Sequence, residues 1–391
     1  MYESNSQQKD CSQMTTFSDL GILSVLESAL ATEEITEPMP IQVTAIPALV
    51  AGKSAYVSSE TGTGKTLAYL LPLFSQIDPA QRILQSIIVV PTHELAMQIG
   101  ELGRSLAQKS GLEIRLQELI GGASVKRQLE KLKSKPHVII GTPGRINELI
   151  DMRKIKPHTV KNIIIDEADR LLSGDSLVAI QKIIKSTLRE RQLVFVSATT
   201  QAESSKETEA LAPDLVQLHA GSDQINTAIE HSYIECEERD KPDILRKLLS
   251  AIGPERAIVF VHRNANAEEI TAKLVHHKIA AVDLHGAQDN SRRRKAIDDF
   301  RNAVANVMIA SDIAARGLDI SGVSHVFNFD IPTQSKDYLH RVGRTSRAGS
   351  QGYAVSLMTE QEIRLLKRYR NELGIAIGVG HLYRGVFSVD D

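Results

Sequence analysis

The sequence predicts an α/β fold with two doubly wound parallel-sheet domains of nearly equal size. Its 391 residues, at about 150 residues per domain, suggest two or three domains and most simply two. Short apolar runs rich in β-branched residues alternate with helix-like stretches along the chain, and this alternation indicates βαβ units. Many of these runs are apolar at every position, as strands buried on both faces are.

Five strands are predicted in each half of the chain. In the first half they are residues 55–58, 86–90, 137–140, 162–165 and 193–197, and in the second half residues 257–261, 280–284, 306–310, 325–328 and 353–357. Ligands usually bind where strands of such sheets end. The predicted organisation is a flexible N-terminus (1–16), a first domain (17–220), a linker (221–228), a second domain (229–377) and a short disordered tail (378–391).

Composition excludes several classes of protein. Hydrophobic residues make up 42% and charged residues 24%, so the chain can build a core and is not disordered. No apolar run approaches the roughly 18 residues that cross a bilayer, and the polar N-terminus lacks the plan of a signal peptide. Cys11 and Cys236 are far apart, which argues against a disulfide framework or a structural zinc site and favours a cytoplasmic location.

Charge and aromatic content restrict how nucleic acid could bind. Lys and Arg total 46 against 48 Asp and Glu, a net charge of −2. Contact with nucleic acid would therefore need a local groove rather than a field over the whole surface. The chain has 8 Tyr, 8 Phe and no Trp, which argues against a platform for base stacking.

A phosphate loop is predicted at residues 59–66 (SETGTGKT), between a predicted strand and an apolar helix. Glycines let backbone N–H groups surround a polyphosphate, Lys65 neutralises it and the Thr66 hydroxyl reaches Mg²⁺. Ser59 occupies the position of the usual first glycine or alanine, so the strict pattern is missed by one residue. The residues predicted to bind ATP here are Thr61, Gly62, Thr63, Gly64, Lys65 and Thr66.

An acidic string, Asp166-Glu167-Ala168-Asp169, follows the predicted strand 162–165. Asp166 could hold Mg²⁺ through water, and Glu167 could act as the base that activates a water molecule. An acid-capped helix start would explain this string alone. A phosphate loop about a hundred residues before it makes nucleoside-triphosphate hydrolysis, with ATP and Mg²⁺ as cofactors, the better interpretation.

With these motifs the sequence resembles the DEAD-box family of RNA-dependent ATPases and helicases, from about residue 17 to residue 377. The resemblance implies two tandem RecA-like domains. Residues 38–42 (PMPIQ) are similar to the family's glutamine motif, in which Gln42 would contact the adenine edge. Ser197 and Thr199 match the motif that couples hydrolysis to strand separation.

The resemblance also implies RNA-backbone contacts in the first domain, at Pro91, Thr92, Gly121, Gly122, Thr142, Gly144 and Arg145. Arg145 would either contact RNA or hold its own loop. His93 stands where the family typically has a permanently charged arginine, so a weaker phosphate contact, or none, is expected at that position.

In the second domain the resemblance assigns RNA contacts to His262, Arg263, Ser311 and Asp312, and the ATP ribose to Asp319. Residues 287–289 depart from the family pattern, and Asn290 replaces its usual glutamine. The basic run 292–295 is interpreted as a solvated helix face in preference to a phosphate contact.

The segment 338–349 (YLHRVGRTSRAG) matches the family's arginine motif. By this resemblance Arg344 and Arg347 are arginine fingers, which can contribute roughly 10³–10⁵ in rate, and His340 and Arg341 couple them to the first domain. Ser346 stands where glycine is usual, which has a cost only if that residue needs a positive φ.

Lys65 and Arg344 fall in different predicted domains, so domain closure would complete the site and gate the chemistry. The sequence thus predicts a monomeric, ATP-dependent RNA helicase that contacts mainly the sugar-phosphate backbone and takes its specificity from a protein partner. Two alternatives remain: a DNA helicase built on the same two-domain ATPase, and an ATP-gated RNA clamp with slow turnover.

Overall fold

The structure, a computed structural model, describes residues 15–59, 62–121, 124–198, 203–220, 228–285, 288, 290–315, 322–345 and 351–390. Of the predicted N-terminus and linker it therefore describes only residues 15–16 and 228. No helix in these ranges is both long enough and apolar enough to cross a membrane.

The first domain alternates helices and strands. Its helices are α1 (Ser24–Ala31), α2 (Pro40–Val50), α3 (Lys65–Gln76), α4 (His93–Ser110), α5 (Val125–Leu132), α6 (Pro143–Asp151), α7 (Ala168–Leu171), α8 (Gly174–Ser186) and α9 (Glu203–Leu211). Its strands are β1 (Ala55–Ser58), β2 (Ser86–Val89), β3 (Leu116–Leu119), β4 (Val138–Gly141), β5 (Asn162–Asp166), β6 (Gln192–Ser197) and β7 (Val216–His219).

These strands form one parallel sheet in the order β3-β4-β2-β5-β6-β1-β7. Both faces are covered by helices. In β2, for example, Ile88 belongs to the apolar cluster on one face, whereas Ile87 and Val89 belong to the cluster on the other. Because all strands are parallel, the loops that follow β1, β2, β4, β5 and β6 meet at one edge of the sheet.

The second domain repeats this plan. Its helices are α10 (Lys241–Ile252), α11 (Asn264–His276), α12 (Asn290–Arg301), α13 (Asp312–Ala315), α14 (Ser335–Val342) and α15 (Ile363–Leu373). Its strands are β8 (Ile229–Glu235), β9 (Ala257–Val261), β10 (Ala281–Leu284), β11 (Val307–Ser311), β12 (His325–Asn328), β13 (Gly352–Met358), β14 (Gly378–Tyr383) and β15 (Val386–Asp390), in the order β10-β11-β9-β12-β13-β8-β14-β15.

The predicted fold class of two parallel-sheet α/β domains is confirmed, and all ten predicted strands are present to within one residue at each end. Sequence analysis missed β3, β7, β8, β14 and β15. The side chains of β3 and β7 are alternately more and less exposed, and β8 mixes exposed with buried positions. These strands lack the continuous apolar run that marks a strand buried on both faces.

The prediction that residues 378–391 form a disordered tail is wrong. β14 pairs in parallel with β8, and β15 folds back antiparallel to β14. The hairpin turn consists of Arg384 and Gly385, both at positive φ (48° and 81°), which suits the twist of a two-residue hairpin. Leu382 and Phe387 pack against the apolar cluster of the second domain, so the hairpin is part of its core.

Replacing Phe387 with Ala should destabilise the second domain by about 2 kcal/mol, because a half-buried ring is removed from that cluster. Replacing the neighbouring Val386, which is 66% exposed, should change stability by about 0.5 kcal/mol or less. Thermal and denaturant unfolding of both variants would measure the difference. Equal effects would mean that the hairpin does not pack as described.

Candidate active site

The phosphate loop lies between β1 and α3 and holds its shape through its own side chains. Gly62 and Gly64 both adopt φ of 82°, a conformation that a side chain would strain. The Ser59 hydroxyl donates to Thr63 Oγ1 at 2.8 Å, and Lys65 Nζ donates to the Ser59 carbonyl at 2.5 Å. Serine at position 59 is therefore accommodated, and its hydroxyl contributes a contact within the loop.

Gln42 joins the start of α2 to this loop. Its side chain is buried; Oε1 accepts from the Met39 N–H at 2.8 Å and Nε2 donates to the Gly64 carbonyl at 3.1 Å. A Cβ at Gly64 would lie 2.4 Å from Gln42 Nε2, so glycine is required at that position for close approach as well as for backbone conformation. Gln42 thus positions the phosphate loop, while its contact with adenine stays a prediction.

The acidic string begins at the end of β5, beside the phosphate loop. Asp166 is buried, and its Oδ1 accepts from the Glu167 N–H at 2.9 Å. Its Oδ2 accepts from the Tyr69 hydroxyl, also at 2.9 Å, and Tyr69 makes a further side-chain hydrogen bond with Thr66. Burial raises the pKa of Asp166 and raises that of Tyr69 well above its usual value.

Tyr69 therefore connects the two side chains predicted to hold Mg²⁺. A hydroxyl and a carboxylate are oxygen ligands of the kind this ion takes, usually with several of its own waters, so Thr66 and Asp166 fit the ion. Sequence analysis missed Tyr69. The available signal was its spacing, since residues three and four positions after Thr66 and Lys65 lie on the same face of a helix.

Glu167 is held in a strained backbone conformation. Its φ and ψ are both 51°, in the left-handed region that costs a non-glycine residue about 1 kcal/mol or more. Burial raises the pKa of its carboxyl, the Asp166 charge raises it further, and Arg344 lowers it. A buried carboxylate with a raised pKa is a better proton acceptor, as general base catalysis requires.

Lys65 and Arg344 lie in one electrostatic environment. Burial lowers the pKa of Lys65 to about 8, Asp166, Asp169 and Glu167 raise it, and Arg344 lowers it. Arg344, which follows α14 in the second domain, is therefore close to the phosphate loop of the first. The two domains therefore meet beside the phosphate loop.

Side-chain contacts between described residues cross from one domain to the other. His340 Nε2 lies 3.6 Å from Asp169 Oδ2, which connects α14 to the acidic string. Arg293 Nε, in α12, lies 2.6 Å from Glu94 Oε1 in the first turn of α4, with side chains only 13% and 19% exposed. The Arg293 guanidinium also donates to the Ala314 carbonyl at 3.1 Å. Sequence analysis did not anticipate the Glu94 contact.

Arg341 is buried within its own domain. Its guanidinium donates to both carboxylate oxygens of Asp312 at 2.6 Å, to Asn328 Oδ1 at 3.1 Å and to the Asp330 carbonyl at 2.5 Å. It also lies over the ring of Phe260. These described partners all belong to the second domain, so Arg341 positions α14 within it, and its coupling to the first domain stays a prediction. The Asp312 carboxylate faces Arg341, although an RNA contact was predicted for it.

The small residues predicted to contact RNA lie along the edge of the first sheet. Thr92 caps α4, its hydroxyl accepting from the Leu95 N–H at 3.2 Å, and Thr142 precedes α6. Gly121 lies beside the His93 ring, and Gly144 faces open space where a Cβ would meet nothing within 4 Å. Pro91 is half-buried at the end of the loop after β2.

The basic side chains at this edge are largely committed to protein contacts. The Arg145 side chain is 8% exposed and pairs with Glu148 at 2.9 Å, an arrangement that favours the loop-holding role. Burial lowers the pKa of His93, and Arg293 and Arg145 oppose its protonation, whereas Glu94 favours it. His93 is therefore mainly neutral at pH 7 and lacks the charge of the family's arginine.

In the second domain the predicted RNA contacts differ in exposure. His262 and Arg263 are exposed where β9 ends, and the His262 N–H donates to Asp330 Oδ2 at 2.7 Å. Ser311 is buried at the end of β11. Within the basic run 292–295 the other three side chains are exposed and Arg293 is turned towards Glu94.

Ser197 is buried at the end of β6, and its carbonyl accepts from the Ser59 N–H at 3.2 Å. It therefore adjoins the phosphate loop, as a coupling residue should. The other predicted site residues lie outside the described part of the chain: Thr61, Gly122, Thr199, Asp319 and Arg347.

Two parallel-sheet domains, with a phosphate loop on one and an arginine of the other beside it, define the class of two-domain helicases. Comparison with known proteins agrees. The model of the DEAD/DEAH box helicase family matches residues 39–208, and that of the helicase conserved C-terminal domain matches residues 240–349. The chain belongs to the DEAD/DEAH box helicase family.

One relative is the DEAD-box ATP-dependent RNA helicase CshC of Bacillus cereus, 42% identical over 91% of this chain and 90% of its own length. The structure is similar to that of Dbp5 from S. cerevisiae bound to RNA and ADP BeF3, with a TM-score of 0.84, 27% identity and coverage of 93% of this chain and 95% of Dbp5. The structure is also similar to that of a DEAD box protein from Methanococcus jannaschii. The two chains are 28% identical, the match covers 93% of this chain and 98% of the other, and the TM-score is 0.56.

The ion pair between Glu94 and Arg293 joins the two domains in the arrangement that this structure shows.

Replacing Tyr69 with Phe should weaken Mg²⁺-dependent nucleotide binding about 5-fold, because the loss of a buried hydrogen bond to Asp166 costs about 1 kcal/mol. Titration of a fluorescent ADP at several Mg²⁺ concentrations would measure this effect. Binding in EDTA serves as the control and should not change. An unaltered Mg²⁺ dependence would show that Tyr69 does not position Asp166.

Reversing either charge of the pair, as Glu94→Lys or Arg293→Glu, should weaken RNA binding in the presence of a non-hydrolysable ATP analogue by about 10-fold or more, because a half-buried charge loses its partner. Combining the two reversals should restore part of the affinity. RNA titrations with and without the analogue would measure both. Additive losses in the double variant would contradict the contact.

Proposed function

We propose that this chain is an ATP-dependent RNA helicase that remodels short RNA duplexes or RNA–protein complexes as its domains close and open. The observation that carries the proposal is the contact between the domains beside the acidic string, where His340 Nε2 lies 3.6 Å from Asp169 Oδ2 and Arg293 Nε lies 2.6 Å from Glu94 Oε1. The site therefore draws on both domains. CshC is named an ATP-dependent RNA helicase, which agrees with this function.

In the proposed reaction, ATP lies in the loop between β1 and α3. Lys65 and the loop N–H groups bind the β- and γ-phosphates, and Gln42 keeps the loop in place for them. Thr66 and Asp166, aligned by Tyr69, would hold Mg²⁺, which neutralises charge on the phosphates when it is bound. Asp319, and Thr61 in the phosphate loop, complete the ATP site in this proposal.

Hydrolysis needs a proton acceptor and a cation for the γ-phosphoryl group. Glu167 accepts a proton from the attacking water as the water oxygen bonds to phosphorus and the bond to the ADP oxygen breaks. Arg344 and Arg347 stabilise the charge that spreads over the γ-phosphoryl oxygens. His340, through Asp169, couples the second domain to the acidic string, with Ser197 and Thr199 beside it.

RNA would lie across the facing edges of the two sheets. The first domain offers small residues and helix starts to the sugar-phosphate backbone, and the second offers His262, Arg263 and Ser311. Because ATP and RNA both favour the closed arrangement, each should raise the affinity of the other by the same factor. Asp312 was also predicted to contact RNA, and any such contact would be made by a carboxylate that is already paired with Arg341.

A slower ATP-gated RNA clamp is the second candidate, and the state of His93 favours it. A mainly neutral His93 and an engaged Arg145 leave the first domain with less charge for RNA. In that case a protein partner would supply RNA specificity and turnover. A monomeric, cytoplasmic enzyme remains our proposal, and mass measurement of the purified chain would test the oligomeric state.

RNA should stimulate ATP hydrolysis by the purified chain, and single-stranded DNA should not. Glu167→Gln should lower the stimulated rate by about 100-fold or more, because general base catalysis contributes about 10²–10⁴, while ATP affinity changes little. Steady-state phosphate release and equilibrium ATP binding would measure the two effects.

Glu101→Gln, an exposed change on α4, is the matched control and should leave the rate unaltered. Turnover that survives Glu167→Gln would refute the assignment of the base. Tight, ATP-dependent RNA binding without stimulated hydrolysis would favour the clamp over the helicase.

A further inference from the structure

Three side chains of the second domain converge at one point, and none of them is assigned above to the nucleotide or to RNA. Glu268 lies in α11, Asp283 in β10, and His285 immediately after β10. His285 Nε2 lies 3.0 Å from Glu268 Oε1 and 3.1 Å from Asp283 Oδ2. One potential ligand atom from each residue lies within 4.8 Å of the other two.

The imidazole at the centre of this group is buried and unsatisfied. The His285 side chain is 3% exposed, and neither ring nitrogen makes a hydrogen bond to any described residue. Both carboxylate oxygens are near Nε2, but neither contact has the geometry of a hydrogen bond. A buried polar atom without a hydrogen bond is uncommon in proteins and points to a bound ion or water.

Gln288 orients this group from behind. Its Nε2 donates to the Asp283 side chain and, at 3.1 Å, to the Asp283 carbonyl, and its Oε1 accepts from the His285 N–H at 3.4 Å. Outer hydrogen bonds of this kind fix the ligands of metal sites. Gln288 belongs to the segment 287–289 that departs from the family pattern, and the predicted function assigns it no role.

We propose that Glu268, Asp283 and His285 form a binding site for a divalent transition-metal ion, for which Zn²⁺ is the best fit. One imidazole and two carboxylates match the ligand types of three-residue zinc sites, in which water fills the fourth position. A tetrahedral ion with bonds of about 2.0–2.2 Å separates its ligand atoms by about 3.3–3.5 Å, close to the contacts of His285. Mg²⁺ fits poorly because it prefers oxygen ligands to imidazole.

Occupation of this site would connect α11 to the segment between β10 and α12. The helix α12 carries Arg293, whose partner Glu94 lies in the first domain. A bound ion would stiffen the attachment of α12. The contact between Arg293 and Glu94 would therefore respond to zinc, although the ion itself touches neither nucleotide nor RNA. The proposal does not depend on the helicase activity.

The test is Zn²⁺ binding to the full-length chain, measured by chelator competition with millimolar Mg²⁺ and ADP present to occupy the nucleotide site. Glu268→Gln should weaken Zn²⁺ binding about 10-fold or more, since it removes one ligand. Its side chain is 65% exposed, so the fold should be kept. Glu269→Gln, an exposed neighbour on α11, is the matched control and should bind Zn²⁺ as the original chain does.

Two further measurements identify the residues that bind the ion. Zn²⁺ should raise the melting temperature of the original chain and of Glu269→Gln, but not that of Glu268→Gln. X-ray absorption of the zinc complex should show one imidazole with oxygen ligands. Equal Zn²⁺ affinity in the Glu268→Gln variant, or loss of binding on replacing the neighbouring His276 and His277 instead, would overturn the proposal. Absence of Zn²⁺ binding to the original chain would overturn it as well, and would leave His285 as a partner of two carboxylates alone.

Discussion

The structure depends on a set of charges buried at one edge of the first sheet. Asp166 is buried, and Lys65, Glu167 and Asp169 around it are half-buried. The cost of removing Lys65, Asp166 and Glu167 from water shifts their pKa values towards neutrality. Charges buried in this way are stable only with partners. A bound triphosphate would be a partner for Lys65, and Arg344 of the second domain is a partner for Glu167. Nucleotide binding and domain closure therefore satisfy the same electrostatic need.

The parallel sheet explains why so few elements suffice for this arrangement. Strands β1, β5 and β6 are adjacent and end at the same level, so the loops that follow them bring residues far apart in sequence into contact. Helix α3, which follows the phosphate loop, then adds Tyr69 from the end of its first turn. The strain at Glu167 is retained because the surrounding hydrogen bonds and packing hold it.

Sequence analysis predicted the parts of this site that local patterns encode, and the fold class with them. The phosphate loop and the acidic string follow buried strands whose apolar runs are unmistakable, so their positions were predictable from the chain alone. The pairing of Glu94 with Arg293 was not, because it joins two helices of different domains and no periodic pattern links them. The inward turn of Arg341 was likewise hidden, since a basic residue in the last turn of an amphipathic helix is usually solvated. The hairpin at the end of the second sheet was missed because β14 is half-exposed and carries two glycines, and because β15 is mostly exposed.

The burial of Arg341 has a consequence for how sequences of this kind can diverge. Its planar guanidinium donates to four acceptor atoms at once and lies against an aromatic ring, and no other side chain has that geometry. Lysine would keep the charge but leave acceptors unpaired in the interior. Asp312, Asn328 and Phe260 are then constrained as a group, and drift at any one of them should be accompanied by compensating change at the others. In an alignment these four positions should covary, forming an evolutionary unit inside the second domain that is separate from the residues that touch ATP.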